Sequence, residues 1–304
     1  MSADTAVLDR PATRTAPPPR VARRRRGWFL PLYTGLVLLY LFLPIGVMIL
    51  FGFNDLQNPR SFNVTWLGFT LRHYANVFEF PDLTNALRNS LLIAAASTVV
   101  ATTLGTLIAL ALTRHRFRGR GGTNLFIFLP MATPEVVLGA SLLSLFVALT
   151  VDRGFVTILI AHIMFNISYV VVTVKARTQG FNAEWEEAAK DLGATPWTAF
   201  WTVTFPLIFP GILAAAVLAF ALSVDDYVIT LFNAGRTLTF PLWVAGASRF
   251  GVPPEVNVMG TIVFVTGVTL AILSVLVQRG RYRDAAQEVA TPVAGTGFAR
   301  VRRG

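Results

Sequence analysis

Three acidic residues lie inside stretches of the sequence that are otherwise apolar. Glu135 lies in one stretch, and Asp225 and Asp226 are adjacent in another, with Tyr227 beside them. A carboxylate at the centre of a bilayer costs about 2.5–3.5 kcal/mol on insertion scales, so it usually faces a partner or a water-filled path. These residues could offer counter-charge to a cationic substrate, with cation–π contact from Tyr227 and from Trp243 in a predicted outer loop.

The same acids have a second interpretation, which the sequence leaves open. They could hydrogen-bond to Ser, Thr or Asn within a helical bundle, or to a partner subunit, and hold a gate together. Adjacent helical residues point about 100° apart, so Asp225 and Asp226 cannot both face one axis. His162 and Asn166, four residues apart, favour interhelical hydrogen bonds over a metal or proton site.

A second group of charged and small residues interrupts the apolar runs near residue 190. Glu187, Ala188 and Ala189 are followed after three residues by Gly193, and nine further residues lead to Val203-Thr204-Phe205-Pro206. The two alanines lack bulk, so the side chains of a partner can approach the backbone closely. The glutamate suits an arginine or lysine of that partner. The pattern therefore predicts a docking loop.

Local signals around this motif predict two short helices. Glutamates near the start of residues 183–192 favour a helix N-terminus, and Gly193 suits a helix stop with positive φ. Thr195 followed by Pro196 suits the start of the next helix, with proline at its first position. The alternative is an ordinary amphipathic loop whose alanines and glutamates reflect helix propensity alone.

These motifs sit within a chain that has the composition of a membrane protein. Of the 304 residues, 54% are hydrophobic and 14% charged, whereas soluble domains carry roughly a quarter charged residues. Apolar runs near the length of about 20 residues that crosses a bilayer occur at 28–54, 89–113, 124–149, 155–174, 207–232 and 257–278. The predicted fold class is all-α, a polytopic membrane protein with about six transmembrane helices.

Individual residues modify these predicted spans. The span at 124–149 is interrupted by Pro130, Pro134 and Glu135. Pro44 and Gly46 predict a kink in the first span. Gly105, Gly139 and Gly267 are small enough to permit close packing between helices.

Three regions follow from the distribution of apolar residues. Residues 1–27 are rich in Ala, Thr, Pro and Arg and predict a disordered tail. Residues 28–280 form the transmembrane domain, with a polar loop at 175–205 and a short surface or re-entrant helix near 241–250. Residues 281–304 form a second polar tail. The first apolar run exceeds the roughly 7–15 residues of a signal-peptide core, so a first span is favoured over a cleaved signal.

The basic residues predict the orientation of the chain. The net charge is +10, but the arginines stand at the ends of apolar runs, which argues against nucleic-acid binding. Most basic residues fall in 10–26, 114–120, 175–190 and 279–303. With six spans, all four segments share one side, which the positive-inside rule makes the cytoplasm. Both termini and the docking loop are therefore predicted to be cytoplasmic.

Several kinds of chemistry have no support in the sequence. The chain has no cysteine and only three widely spaced histidines, so no metal site is predicted. It has no phosphate-binding P-loop, no GxSxG elbow and no zinc-protease pattern. We therefore expect no cofactor and no catalytic site. Energy for any transport must come from a partner or from an ion gradient.

The motif at 187–206 resembles the cytoplasmic loop of integral-membrane permease subunits of ABC importers. Val203 and Phe205 depart mildly from the isoleucine and leucine of that family's motif. Further similar segments lie at 134–137, 141–143, 165–174, 187–194, 223–226 and 252–257. Over residues 28–280 the chain is most similar to the second permease of spermidine/putrescine importers.

This resemblance implies a type I ABC importer fold, with a core of five spans plus an N-terminal one, in a bacterial inner membrane. It implies a second homologous permease, a cytoplasmic ATPase dimer and an extracytoplasmic solute-binding protein as partners. The ATPase would drive alternating access by pushing on the loop. The residues that the resemblance makes responsible for coupling are Glu187, Ala188, Ala189, Gly193 and Pro206.

The resemblance implies a polyamine substrate, although relatives carry other small molecules. The rival hypotheses are an ion-coupled secondary transporter and a membrane-bound enzyme. The first predicts paired repeats with interrupted helices, which the sequence does not show. The second lacks any catalytic motif.

Overall fold

A computed structural model of the chain describes residues 28–56, 63–180, 184–249, 253–269 and 272. The helices in chain order are α1 (Phe29–Phe51), α2 (Arg72–Ala75), α3 (Pro81–Arg114), α4 (Arg120–Ala132), α5 (Glu135–Ala148), α6 (Phe155–Gln179), α7 (Glu184–Asp191), α8 (Pro196–Ala199), α9 (Phe205–Asp225), α10 (Val228–Asn233) and α11 (Phe240–Ala247). A 3₁₀ turn (Val77–Glu79) and a π-helix (Phe200–Thr204) complete the named elements. Residues 254–269 are also helical.

Four described helices are long and apolar enough to cross a membrane. They are α1, α3, α6 and the continuous segment Pro196–Asp225, and α4 with α5 gives a fifth candidate if the pair counts as one span. The predicted sixth span at 257–278 lies partly outside the described residues. The all-α prediction is confirmed, and α11 confirms the short helix predicted near 241–250.

The span predicted at 124–149, with interruptions at Pro130, Pro134 and Glu135, is broken in the structure. The segment consists of α4 and α5, whose axes differ by 106° across a short break. Pro134 causes the break, because it lacks an amide hydrogen and forces the preceding residue out of the helical region. Thr133 accordingly has an extended ψ of 132°. Glu135 is the first residue of α5, so the bend brings its carboxylate to a helix start.

In the predicted span at 207–232, the helical position assumed for Asp226 is wrong. Helix α9 ends at Asp225, and Asp226 has an extended backbone with ψ of 117°. The chain re-enters a helix only at Val228. The expected helical offset of about 100° between the two aspartates therefore does not apply, because only Asp225 belongs to the helix.

Helices α3, α6 and α9 form the centre of the protein. Their contact contains small side chains, including Ala101 and Ala109 of α3 and Ala215 of α9 packed against Val170 of α6. Gly105 lies at the closest approach, since a Cβ placed there would stand 2.6 Å from Cγ1 of Val170. Small residues let helix backbones approach closely in membranes, which is how this three-helix core packs.

The chain divides into two compact units, Met1–Gly46 and Val47–Gly304. In the first, residues 29–46 belong to α1, which contains Pro44. None of the α1 residues is buried.

Candidate coupling loop and substrate path

The predicted docking loop is a helix–turn–helix. Helix α7 spans Glu184–Asp191, and Gly193 has the positive φ of +87° predicted from its position. Thr195 is the N-cap of α8 and accepts a hydrogen bond of 3.2 Å from the amide of Thr198, with Pro196 at the first helical position. These local predictions are confirmed.

The family-motif residues of the loop lie mainly at the surface. Glu187, Ala188 and Gly193 are exposed, and Ala189 is half-buried. Pro206 is the second residue of α9. The motif therefore presents a glutamate and a small-residue surface rather than a packed core face.

Apolar residues extend this surface beside the motif. Leu192 is 90% exposed and Trp197 is 70% exposed. Trp197 stacks against Phe200 with ring centroids 6.2 Å apart, and Trp201 packs edge-on against both. An exposed leucine at the turn between two helices suits docking against another protein.

A neighbouring glutamate, Glu186, is engaged inside the protein. Its Oε2 accepts a 2.7 Å hydrogen bond from Nη2 of Arg114 and a 3.1 Å bond from the hydroxyl of Thr204. Its Oε1 lies 3.4 Å from Nζ of Lys190, one helical turn away. The sequence prediction missed this residue, because three glutamates crowd the start of α7 and only Glu187 belongs to the motif.

A polar cleft of about 470 Å³ adjoins this contact. It is lined by Thr113, Arg114, His115, Thr178, Glu186, Glu187 and Lys190. Glu187 thus lies at the edge of a concave, charged surface.

In the predicted substrate path, Asp226 is paired with other residues of the same chain. Its Oδ2 lies 3.2 Å from Nε2 of His162 and accepts bonds from the amide (2.8 Å) and hydroxyl (2.7 Å) of Thr230. The other imidazole nitrogen, Nδ1, is 2.6 Å from the hydroxyl of Ser223. Ser97 of α3 donates to Ser223 at 3.1 Å. The network joins α3, α6, α9 and α10.

The remaining predicted path residues are not engaged in this network. Asp225 is exposed, although Asp226 beside it has a side chain only 5% exposed. Glu135 is exposed at the start of α5. Tyr227 is half-buried at the N-cap of α10.

Glu135 and Asp225 each lie close in sequence to residues of one apolar cluster. Leu138 of α5 and Phe165 of α6 belong to this cluster, and Leu222 of α9 packs against it. Glu135 lies three residues before Leu138 and Asp225 three residues after Leu222. Each of the two exposed carboxylates therefore lies within one helical turn, along its own helix, of a residue of this cluster.

Other predicted residues have different surroundings. His162 makes the expected interhelical bonds, whereas neither side-chain atom of buried Asn166 has a hydrogen-bond partner in the part of the chain that the structure describes. Trp243 packs with Val77 and Met259 in a separate cluster. Within the described residues, no group of three or more His, Cys, Asp or Glu side chains could hold a metal ion.

Comparison with known proteins identifies the family to which this chain belongs. The model of the family described as binding-protein-dependent transport system inner membrane component matches residues 101–282. The chain belongs to this family. It is therefore a multi-pass inner-membrane protein of the ABC importer permease class, and the secondary-transporter and membrane-enzyme hypotheses lose their support.

Curated members of this inner-membrane component family include several close relatives. The chain is 37% identical over 262 residues to the spermidine/putrescine transport system permease protein PotC of Escherichia coli (strain K12), covering 86% of this chain and 96% of the relative. It is 36% identical to the putrescine transport system permease protein PotI of the same strain, covering 81% and 90%.

Solved structures of ABC transporters share the fold. A bacterial ABC transporter involved in the import of the acidic polysaccharide alginate has a TM-score of 0.58 at 19% identity, covering 83% of this chain and 94% of that one. An amino acid ABC transporter with histidines has a TM-score of 0.55 at 19% identity, covering 69% and 99%. These likenesses establish the type I importer permease fold.

Proposed function

We propose that this permease forms half of the translocation path of an ATP-driven importer for a polyamine such as spermidine or putrescine. The observation that carries the proposal is similarity to PotC and PotI along most of both chains. The exposed carboxylate of Asp225 at the end of an apolar helix supports it, because polyamines are small cations that need counter-charge.

Asp226 and Asp225 have different roles in this proposal. Asp226 fixes the break between α9 and α10 through His162 and Thr230. Asp225 and Glu135 then offer charge to the ammonium groups of the substrate, and Tyr227 adds aromatic contact. Of the two adjacent acids, Asp225 is thus the path residue.

Coupling to ATP hydrolysis occurs at the cytoplasmic loop in the same proposal. Glu187 and the surface formed by Ala188 and Ala189 dock an ATPase dimer, Gly193 sets the turn, and Pro206 begins the span that follows. ATP is hydrolysed by that partner. A second homologous permease completes the path, and an extracytoplasmic binding protein delivers the solute.

Uptake by the assembled complex tests the proposal. The chain, its second permease, the ATPase and the binding protein are reconstituted in vesicles, and uptake of labelled putrescine is measured with and without ATP. We expect ATP-dependent uptake. Uptake driven by an ion gradient through this chain alone would contradict the proposal, and ATP-dependent uptake of another solute but no polyamine would refute the substrate.

A charge-removing variant tests the path residue. Hydrogen bonds to charged groups contribute about 1.5–3 kcal/mol, so Asp225→Asn should raise the KM for putrescine about tenfold or more. Asp82→Asn is the matched control, because Asp82 is an exposed acid in the first turn of α3. An unchanged KM in Asp225→Asn would remove Asp225 from the path.

A further inference from the structure

We propose that Arg114 is a positioning residue that joins the coupling helix α7 to two membrane spans. With Glu186 and Thr204 it forms a joint, here called the coupling joint, that carries the movement of α7 to α3 and α9. This inference rests on the proposed docking of an ATPase at the loop. It adds Arg114 and Glu186, which lie outside the family motif, to the coupling machinery.

The coupling joint is a closed triangle of hydrogen bonds. Nη2 of Arg114 donates to Oε2 of Glu186 at 2.7 Å, and Nη1 lies 3.5 Å from Oε1, so the guanidinium faces the carboxylate with both nitrogens. The same Nη2 donates to the hydroxyl of Thr204 at 3.0 Å, and that hydroxyl donates to Oε2 at 3.1 Å. Two-nitrogen contacts between Arg and a carboxylate fix orientation as well as distance.

Each member of the joint stands at the end of a different element. Arg114 is the last residue of the 34-residue helix α3, and Glu186 lies in the first turn of α7. Thr204 is the last residue of the π-helix and directly precedes α9. A displacement of α7 at Glu186 therefore acts on the ends of two spans that pack against each other.

Helix α7 depends on polar contacts because it lacks a packed face. None of the residues Glu184–Asp191 is buried, whereas Thr204 is completely buried. The side chain of Glu186 is only 17% exposed and that of Arg114 is 28% exposed. The joint is thus a partly desolvated connection between an exposed helix and the interior.

The chemistry of the joint requires arginine. A guanidinium can hold a carboxylate and a hydroxyl at once in a fixed plane, whereas a lysine ammonium is a point charge on a flexible stem. The adjoining π-helix is consistent with a functional role for this segment, since π turns within helices occur frequently at functional sites. Lys190 also contacts Oε1 of Glu186, which limits rotation of the carboxylate.

The test compares ATP hydrolysed with solute moved by the reconstituted complex, using putrescine as the solute. In Arg114→Ala and Glu186→Gln we expect putrescine uptake to fall about fivefold or more, the lower end of ordinary coupling between sites. ATP hydrolysis should continue, so the ATP consumed per putrescine rises. Arg114→Lys should be intermediate, and the charge-exchanged pair Arg114→Glu with Glu186→Arg should recover part of the uptake.

Arg116→Ala is the matched control, because Arg116 is an exposed arginine two residues from the joint and its variant removes the same charge. We expect the amount of ATP hydrolysed per putrescine taken up to stay at the wild-type value in this variant. If the ATP hydrolysed per putrescine is unchanged in both Arg114→Ala and Glu186→Gln, the inference is overturned. If Arg114→Ala does not assemble, the ratio of Arg114→Lys decides. Failure of the wild-type complex to take up putrescine with ATP would instead refute the proposed function.

Discussion

Oδ2 of Asp226 lies 3.2 Å from Nε2 of His162, across 64 residues of sequence. This pair separates the roles of two adjacent aspartates, since Asp225 remains exposed at the end of α9 while Asp226 is held in a buried network. The pairing also explains where the helix stops. The carboxylate accepts the amide hydrogen of Thr230, which favours an extended residue before α10.

Removing the carboxylate of Asp226 should destabilise the protein. In Asp226→Ala the amide and hydroxyl of Thr230 lose their acceptor, and His162 loses one partner. An unsatisfied buried donor costs about 1–3 kcal/mol, so we expect a lower melting temperature for the purified chain in detergent. Asp225→Ala is the control and should shift stability by less than about 0.5 kcal/mol. Equal shifts in both variants would contradict the division of roles.

The contact between α3 and α6 should not tolerate a larger residue at Gly105. A Cβ there would lie 2.6 Å from Cγ1 and 2.8 Å from Cβ of Val170. Overpacking of this kind costs about 1–3 kcal/mol. Gly105→Ala should therefore lower the melting temperature, and Val170→Ala in the same chain should recover part of the loss.

Gly267→Ala is the control for this contact. Among the described residues, nothing lies within 4 Å of a Cβ built at Gly267. The prediction of close packing is confirmed at Gly105 and at Gly139, where Phe232 lies 2.7 Å from such a Cβ, and stays a prediction at Gly267. A melting temperature lowered as much by Gly267→Ala as by Gly105→Ala would refute the steric explanation.

The turn at Gly193 should respond to backbone strain alone. Its φ is +87°, and among the residues that the structure describes no atom lies within 4 Å of a Cβ built there. A left-handed conformation costs an L-residue about 1–2 kcal/mol, with asparagine the better tolerated. Gly193→Val should therefore reduce ATP-dependent uptake more than Gly193→Asn. Equal uptake by the two variants would show that the turn geometry does not matter for coupling.

Local features of the fold could be predicted from the sequence, because their causes are local. Gly193, Thr195 and Pro196 determine the helix stop, cap and restart through their own backbone preferences. Long apolar runs likewise predicted α1, α3 and α6, since length and composition alone decide whether a helix can cross a bilayer.

The missed features depend on contacts between distant residues. Helix α9 ends before Asp226, whose carboxylate bonds to His162 and Thr230 instead. The periodicity of the sequence does not indicate such a pairing. Arg114 bonds Glu186 rather than Glu187 across 72 residues, and neither residue type reveals the choice. Pro134 did mark the break between α4 and α5, but a proline alone does not give the 106° bend.

The proposed orientation can be tested with single cysteines, because the natural chain contains none. Asp191 at the end of α7 and Asp152 between α5 and α6 are both exposed aspartates, and the positive-inside rule puts them on opposite sides. With a membrane-impermeant maleimide and intact cells, Asp152→Cys should be labelled, whereas Asp191→Cys should be labelled only after the membrane is opened. The reverse pattern would place the coupling loop outside, where a cytoplasmic ATPase could not reach it, and would contradict both the orientation and the proposed coupling.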